Sequence, residues 1–249
     1  MDIWAACRDE VQPEPLEGRL IRMVENQEQT ATRALVDDLA EQALLEEMLE
    51  AGKPPLPPET AGLHYLLATP FRYPPLKHGS RFGARHEPAL FYGSTTPGAA
   101  LAETAYYRFV FWWGMMDPPP AGRLMTEHTA FGAAYAAGAG LRLHRPPFDA
   151  FEHRLASPDD YSDTQLLGRQ LRAAGVEAFE YRSARDPGRG INVALFTPRA
   201  FAGPKPLWQQ TWLCDTRGEE VVFYSKEEGA CRFALGLFLV EGELPTPAV

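Results

Sequence analysis

Cysteine is scarce in this chain: 249 residues hold Cys7, Cys214 and Cys231, an odd number set far apart. That excludes a disulfide framework and a cysteine-based zinc site, and reduced thiols in a cytoplasmic protein are the simplest expectation. Long apolar runs are also missing. The most apolar stretch, "FVFWWGMM" (109–116), is far shorter than the roughly 18 residues of a membrane span. "MDIWAACRDEVQPEP" carries acids and prolines where a signal peptide would carry an apolar run. Positive charge is in deficit, with 24 Lys and Arg against 33 Asp and Glu, a net charge of -9. Direct nucleic-acid binding through a basic face is therefore not expected, although local basic patches remain compatible with that total. No GxGxxG follows a strand, and GxxxxGK[ST], HExxH and GxSxG do not occur. The histidines, at 64, 78, 86, 128, 144 and 153, have no metal-ligand spacing.

What is present reads as one large domain, or a domain with a small appendage, long enough to bury a core without staples. Residues 1–52 read as helical. "EPLEGRLIRMVENQ" places Leu16, Leu20 and Val24 at four-residue steps. "TRALVDDLAEQALLEEMLEAG" puts Leu35, Leu39, Leu45 and Leu49 near one face, with Gly52 as a stop. These two helices pack on the fold or offer a surface to a partner. The Pro-rich "GKPPLPPETAG" (52–62) cannot continue a helix and sets a boundary near residue 60, giving a helical extension (1–60) and a main domain (61–249).

Beyond it, "LHYLLATPFRY" and "PALFYGS" read as short strands. "STTPGAALAETAYYRFVFW" starts a helix, with Thr95 or Thr96 as cap and Pro97 at the first position. "GMMDPPPAGR" (114–123) breaks the chain, and "TEHTAFGAAYAAGAGLRL" (126–143) is ambiguous between helix and strand. "SDTQLLGRQLRAAG" (162–175) is a helix with a Ser162–Gln165 capping-box pattern and Gly175 as a stop. "VEAFEYRS", "INVALFTP", "LWQQTWLCD", "EEVVFYS" and "RFALGLFLV" then read as strands, the first two joined by the turn "DPGRG". With no regular βαβ rhythm, an α+β fold with a mostly antiparallel or mixed sheet is expected.

Candidate chemistry gathers in "KHGSRFGARHEPALFYGSTTPGAALAETAYYR" (77–108), where Arg81, Tyr92 and Glu103 follow at eleven-residue steps. Arg81 lies between glycines, where a ligand can approach a guanidinium and free backbone amides, as phosphate does; it also reads as a surface arginine in a turn. Tyr92 ends a strand, with Leu90 on its face and Phe91 on the other, and either lines a pocket or sits at the core rim. Glu103 is a lone carboxylate on an alanine-rich turn, costly to bury unless paired or used, and otherwise on a solvent face. Ser183 stands after a strand and before a Gly-rich turn. It has no general base beside it in the sequence, so it suits a ribose or phosphate contact, or a plain turn, better than a nucleophile.

Together, "GSRFG…ALFYGST…AALAETAYYR" and "VEAFEYRSARDPGRGINVALFTP" resemble the RES-domain family over roughly residues 65–225, in order, spacing and context. The resemblance implies an ADP-ribosyltransferase-like fold and a toxin of a bacterial toxin–antitoxin pair. It implies consumption of NAD, as substrate and not cofactor, by cleavage of the nicotinamide–ribose bond. Water, phosphate or a protein would accept the ADP-ribose, the last being a protein-modifying ADP-ribosyltransferase. It also implies an antitoxin partner with an Xre-like part; a homodimer is left open. Arg81, Tyr92, Glu103 and Ser183 are the matching residues, and Arg72, in "TPFRYPP", is a looser match to a second, upstream arginine. On this reading Glu103 stabilises the ribosyl cation, Arg81 takes the pyrophosphate with Arg72 in support, and Tyr92 holds nicotinamide. Ser183 orients the ribose or a phosphate. A non-catalytic binding module on the same fold is the reading from another class.

Overall fold

The computed structural model describes residues 2–26, 36–73 and 77–246. Within these residues eight strands form one sheet: β1 (Glu14–Glu25), β2 (Phe91–Ser94), β3 (Leu124–Arg142), β4 (Ala178–Arg182), β5 (Ile191–Leu195), β6 (Trp208–Thr216), β7 (Glu220–Ser225) and β8 (Gly229–Ala234). The order is β1-β2-β5-β4-β3-β6-β7-β8, with β1 also paired to β3. Strands β1, β2, β5, β4 and β3 thus close into a ring, from which β6–β8 continue as an outer sheet. Every pairing is antiparallel except β3 with β4. The expected α+β class with a mixed, mostly antiparallel sheet is what forms.

Closure depends on β3, the ambiguous stretch. One edge takes β1 over residues 128–140; the other takes β6 over 124–132 and β4 over 140–142. Its small residues leave room for neighbours' side chains. A Cβ at Gly140 would collide with Leu16, and one at Gly132 with the Trp208 indole.

The helix expected over "EPLEGRLIRMVENQ" is instead β1. A repeat of four is also a multiple of two, so Leu16, Leu20 and Val24 share a strand face as readily as a helix face. Leu16 and Leu20 are fully buried in one core with Phe91, Phe131 and Tyr135. The sheet therefore takes strands from both sides of the Pro-rich segment, and β1 belongs to it rather than to a helical extension over residues 1–60.

The helices are α1 (Ile3–Cys7), α2 (Leu39–Ala51), α3 (Tyr65–Arg72), α4 (Pro97–Trp113), α5 (Glu152–Leu155) and α6 (Ser162–Ala173). Helix α2 ends at Gly52, as its pattern indicates, but starts only after an Asp38 cap and buries none of its residues; Leu35 lies outside the described residues. The stretch "LHYLLATPFRY", expected as a strand, is α3. Leu63, Leu67 and Phe71 recur at four-residue steps and meet the same core.

Thr96 caps α4, its hydroxyl accepting the Ala99 N–H at 3.3 Å, with Pro97 at the first position. Helix α6 forms without the capping box. Gln165 instead donates from its amide to the carbonyls of His78 (2.8 Å) and Ser80 (3.1 Å), tethering the loop that carries Arg81.

Candidate active site

A cavity of about 340 Å³ opens between β1, β2, α4 and the loop at residues 80–81, with Tyr161, Tyr181 and Asn192 completing its wall. The sheet register builds one side. Ser94 on β2 and Tyr181 on β4 flank Asn192 on β5, and Tyr92 lies two residues from Ser94 on the same face. The opposite face of β2 carries Phe91 into the core, 4.9 Å from Phe201 in an edge-to-face contact.

Glu103 projects from the alanine-rich turn of α4 and is partly buried. Its Oε1 accepts two hydrogen bonds of 2.6 Å, from the Ser183 hydroxyl and from the Asn192 side-chain amide. Ser94 donates to Asn192 Oδ1 at 2.7 Å, which orients that amide toward the carboxylate. No described residue hydrogen-bonds Oε2, so one oxygen is fixed and the other remains for a ligand.

Ser183 is 2% exposed and its hydroxyl is saturated. It donates to Glu103 and accepts from the backbone N–H groups of Arg185 (3.1 Å) and Asp186 (3.0 Å). The expected role for Ser183, a direct bond to ribose or phosphate, is not what this geometry offers; the side chain holds Glu103 and the following turn.

Tyr92 is partly buried, with its hydroxyl 2.9 Å from Ser80 Oγ and accepting the Phe82 N–H at 3.1 Å. Burial pushes its phenol up to about 12, so it stays protonated at neutral pH. Arg81 sits in a tight loop entered through Gly79, whose φ of 76° suits glycine. It is not a surface turn residue: Arg81 is 9% exposed, and its guanidinium donates to the Ser157 carbonyl at 2.7 Å and lies over the Tyr161 ring at 4.4 Å. The Ser80 and Phe82 amides are already bonded, to Gly83 O and Tyr92, so anion binding here falls to the guanidinium more than to these amides.

Arg72 is not brought to this cavity. It ends α3, donates to Pro54 O, and pairs with Glu50 of α2 at 2.5 Å. Arg22 of β1 lines the cavity instead. Its Nη1 donates to Tyr92 O at 2.7 Å, its Nε is buried without a partner, and burial lowers it to about 10, leaving it charged at neutral pH. Behind the wall, Arg185 is 4% exposed, 3.5 Å from the Tyr106 ring centroid, and shares the Tyr161 hydroxyl with Arg81. Among the described residues none of Arg22, Arg81 and Arg185 has a carboxylate partner. Arg22 and Arg81, largely desolvated and free of salt bridges to described residues, give the cavity positive charge beside the Glu103 carboxylate, and an anionic group can meet it.

Sequence reasoning passed over Arg22, Asn192, Ser94 and Tyr161. The quoted "INVALF" strand held a signal for Asn192, a buried-strand position occupied by an amide. Nothing local marked Arg22, which arrives through the long-range pairing of β1 with β2 and β3.

The cavity thus combines a partly buried carboxylate held by a serine and an asparagine with two arginines, on an α+β sheet. The RES domain model matches residues 56–217, well over half of the chain. The chain belongs to the RES-domain family. Arg22 lies outside the matched range. No curated protein matches the sequence. Among solved structures, a chain of the crystal structure of the M. tuberculosis MbcT–MbcA toxin–antitoxin complex is similar. It shares 11% identity, with a TM-score of 0.49, over 88% of this chain and 94% of that one. Among the described residues no cluster of His, Cys, Asp and Glu could hold a metal ion, and no helix is long and apolar enough to cross a membrane.

Proposed function

We propose that this chain degrades NAD by breaking the bond between nicotinamide and ribose, acting in the cytoplasm as a toxin restrained by an Xre-like antitoxin. One observation carries the enzymatic reading: Glu103 has one oxygen fixed by Ser183 and Asn192 and the other unpartnered, beside Arg22 and Arg81. The toxin role and the antitoxin rest on the family alone.

NAD matches this polarity. Its pyrophosphate is anionic and suits two guanidiniums. When the C–N bond breaks, the electron pair leaves with nicotinamide, which departs neutral, and positive charge passes to the ribose. A fixed carboxylate beside C1′ stabilises that charge without reorganising. Tyr92 and Tyr107 offer aromatic surface for the nicotinamide ring. Attack on C1′ by an acceptor oxygen completes the reaction, and water would yield ADP-ribose and a proton. Removing the Glu103 charge costs about 3 kcal/mol of barrier or more, the size of a lost oxyanion donor.

The test follows the fate of NAD labelled in its adenylate half, incubated with the purified chain at low and high phosphate. Free ADP-ribose indicates water as acceptor, the ribosyl phosphate indicates phosphorolysis, and label on a protein indicates transfer. Intact NAD under every condition would overturn the enzymatic reading.

A further inference from the structure

The first cavity is near the small end of ligand sites, which span about 300–1,000 Å³, and in the proposal above Glu103, Arg22 and Arg81 are taken up by the ribose and the pyrophosphate. A second cavity of about 250 Å³ adjoins it; Met23 and Ala100 line both. Its other walls are Trp208, Gln210, Trp212 and Glu228, with Ile21 and Pro97.

This second cavity brings two indoles, an amide and a carboxylate together. Trp212 is 3% exposed while Trp208 is 41% exposed, so one indole is fixed in the core and the other is accessible. Gln210 is held from both ends: it accepts from Trp212 Nε1 at 3.2 Å and donates to Ser225 Oγ (3.3 Å) and Glu227 (3.0 Å). The Glu228 side chain, by contrast, has no hydrogen bond or ion pair with any described residue, and it is exposed at the cavity. Gly132 admits the Trp208 indole against β3, where a Cβ would collide with it. An indole gives a base a stacking surface, and an unpaired carboxylate accepts from the 6-amino group of adenine, where hypoxanthine presents an acceptor oxygen instead.

We propose that this cavity is the adenine subsite, with Trp208 as stacking surface and Glu228 as acceptor for the 6-amino group. The proposal rests on the NAD reading of the first cavity: a dinucleotide seated there by its nicotinamide half must place its adenosine half outside, and the shared Met23–Ala100 wall leads here.

The test compares Trp208→Ala and the ring-retaining Trp208→Phe with wild type, on NAD and on nicotinamide mononucleotide, which lacks the adenosine half. Stacking losses predict an NAD KM raised about tenfold in Trp208→Ala, with kcat within about twofold. The mononucleotide KM should not move, and Trp208→Phe should stay near wild type. Equal effects on both substrates, or none on either, would overturn the subsite while leaving the cleavage reaction standing. Should Trp208→Ala fail to fold by circular dichroism, Glu228→Ala decides. Wild type should prefer NAD to its hypoxanthine analogue and the variant should not; unchanged preference overturns the proposal. AMP quenching of tryptophan fluorescence reads the site without catalysis. Quenching that Trp208→Ala abolishes supports the subsite even if NAD proves not to be cleaved, and absence of AMP binding to wild type contradicts it.

Discussion

The Ser183 hydroxyl spends its single proton on Glu103 Oε1, 2.6 Å away, and both its lone pairs on backbone N–H groups of the turn that follows. It therefore acts on substrate only through Glu103. Ser183→Ala should lower kcat roughly 10- to 100-fold, the worth of a charge-assisted hydrogen bond of about 1.5–3 kcal/mol, while NAD KM changes little. Asn192→Ala should behave alike, and the double variant should lose less than the product of the two, because both bonds fix one oxygen. A Ser183→Ala enzyme with wild-type kcat and a raised KM would show that the hydroxyl binds substrate directly.

Arg22 and Arg72 separate two positions for the second cation. Arg22→Gln should weaken NAD binding by calorimetry about tenfold or more, as expected for a lost charge-assisted contact. Arg72→Gln should leave it unchanged, since Arg72 is engaged by Glu50 and Pro54. The reverse pattern would return Arg72 to the site.

His128 ties stability to pH. It is 2% exposed, and burial, then the Arg108 charge, lowers it to about 4. Its folded value lies below the unfolded one, so the unfolded chain binds the extra proton between the two. Stability is thus full above the unfolded value of about 6.5 and falls as pH drops toward 4. Urea titrations should show about 2 kcal/mol lost between pH 7 and pH 5 through this group, and His128→Gln should flatten that part of the slope. An unchanged slope would assign the acid sensitivity to other groups.

Leu16 and Leu39 show how differently two apolar positions of the leading segment are used. Leu16→Ala should cost about 2–5 kcal/mol, as a large-to-small change in a packed core, because Leu16 is fully buried against β3. Leu39, 79% exposed, should cost less than about 0.5 kcal/mol when changed to Ala. A negligible loss at Leu16 would contradict the ring closed by β1.

The contrast between these leucines is also where sequence reading reached its limit. Arg81, Tyr92, Glu103 and Ser183 each read alone as an ordinary turn, rim or surface residue and stood out only as a joint pattern resembling the RES-domain family; the structure places three of them on the cavity wall and Ser183 behind Glu103. The α4 start was legible because Thr96 and Pro97 are local signals. Arg22 was not, since its strand has a four-residue repeat that fits both periods, and only pairing with β3 resolves it. Arg72 misled for the related reason that α3 was read as a strand. Gln165 looked like half of a cap, yet its amide is drawn to a loop more than eighty residues away, a choice made by tertiary contacts.

On the proposed function, Glu103 drives bond cleavage and not merely binding. Nicotinamide release from NAD, followed by chromatography alongside calorimetric NAD binding, tests it in Glu103→Gln. The variant should bind NAD and release nicotinamide at least about 100-fold more slowly than wild type. Release at the wild-type rate by Glu103→Gln, or none from wild type, would contradict the account.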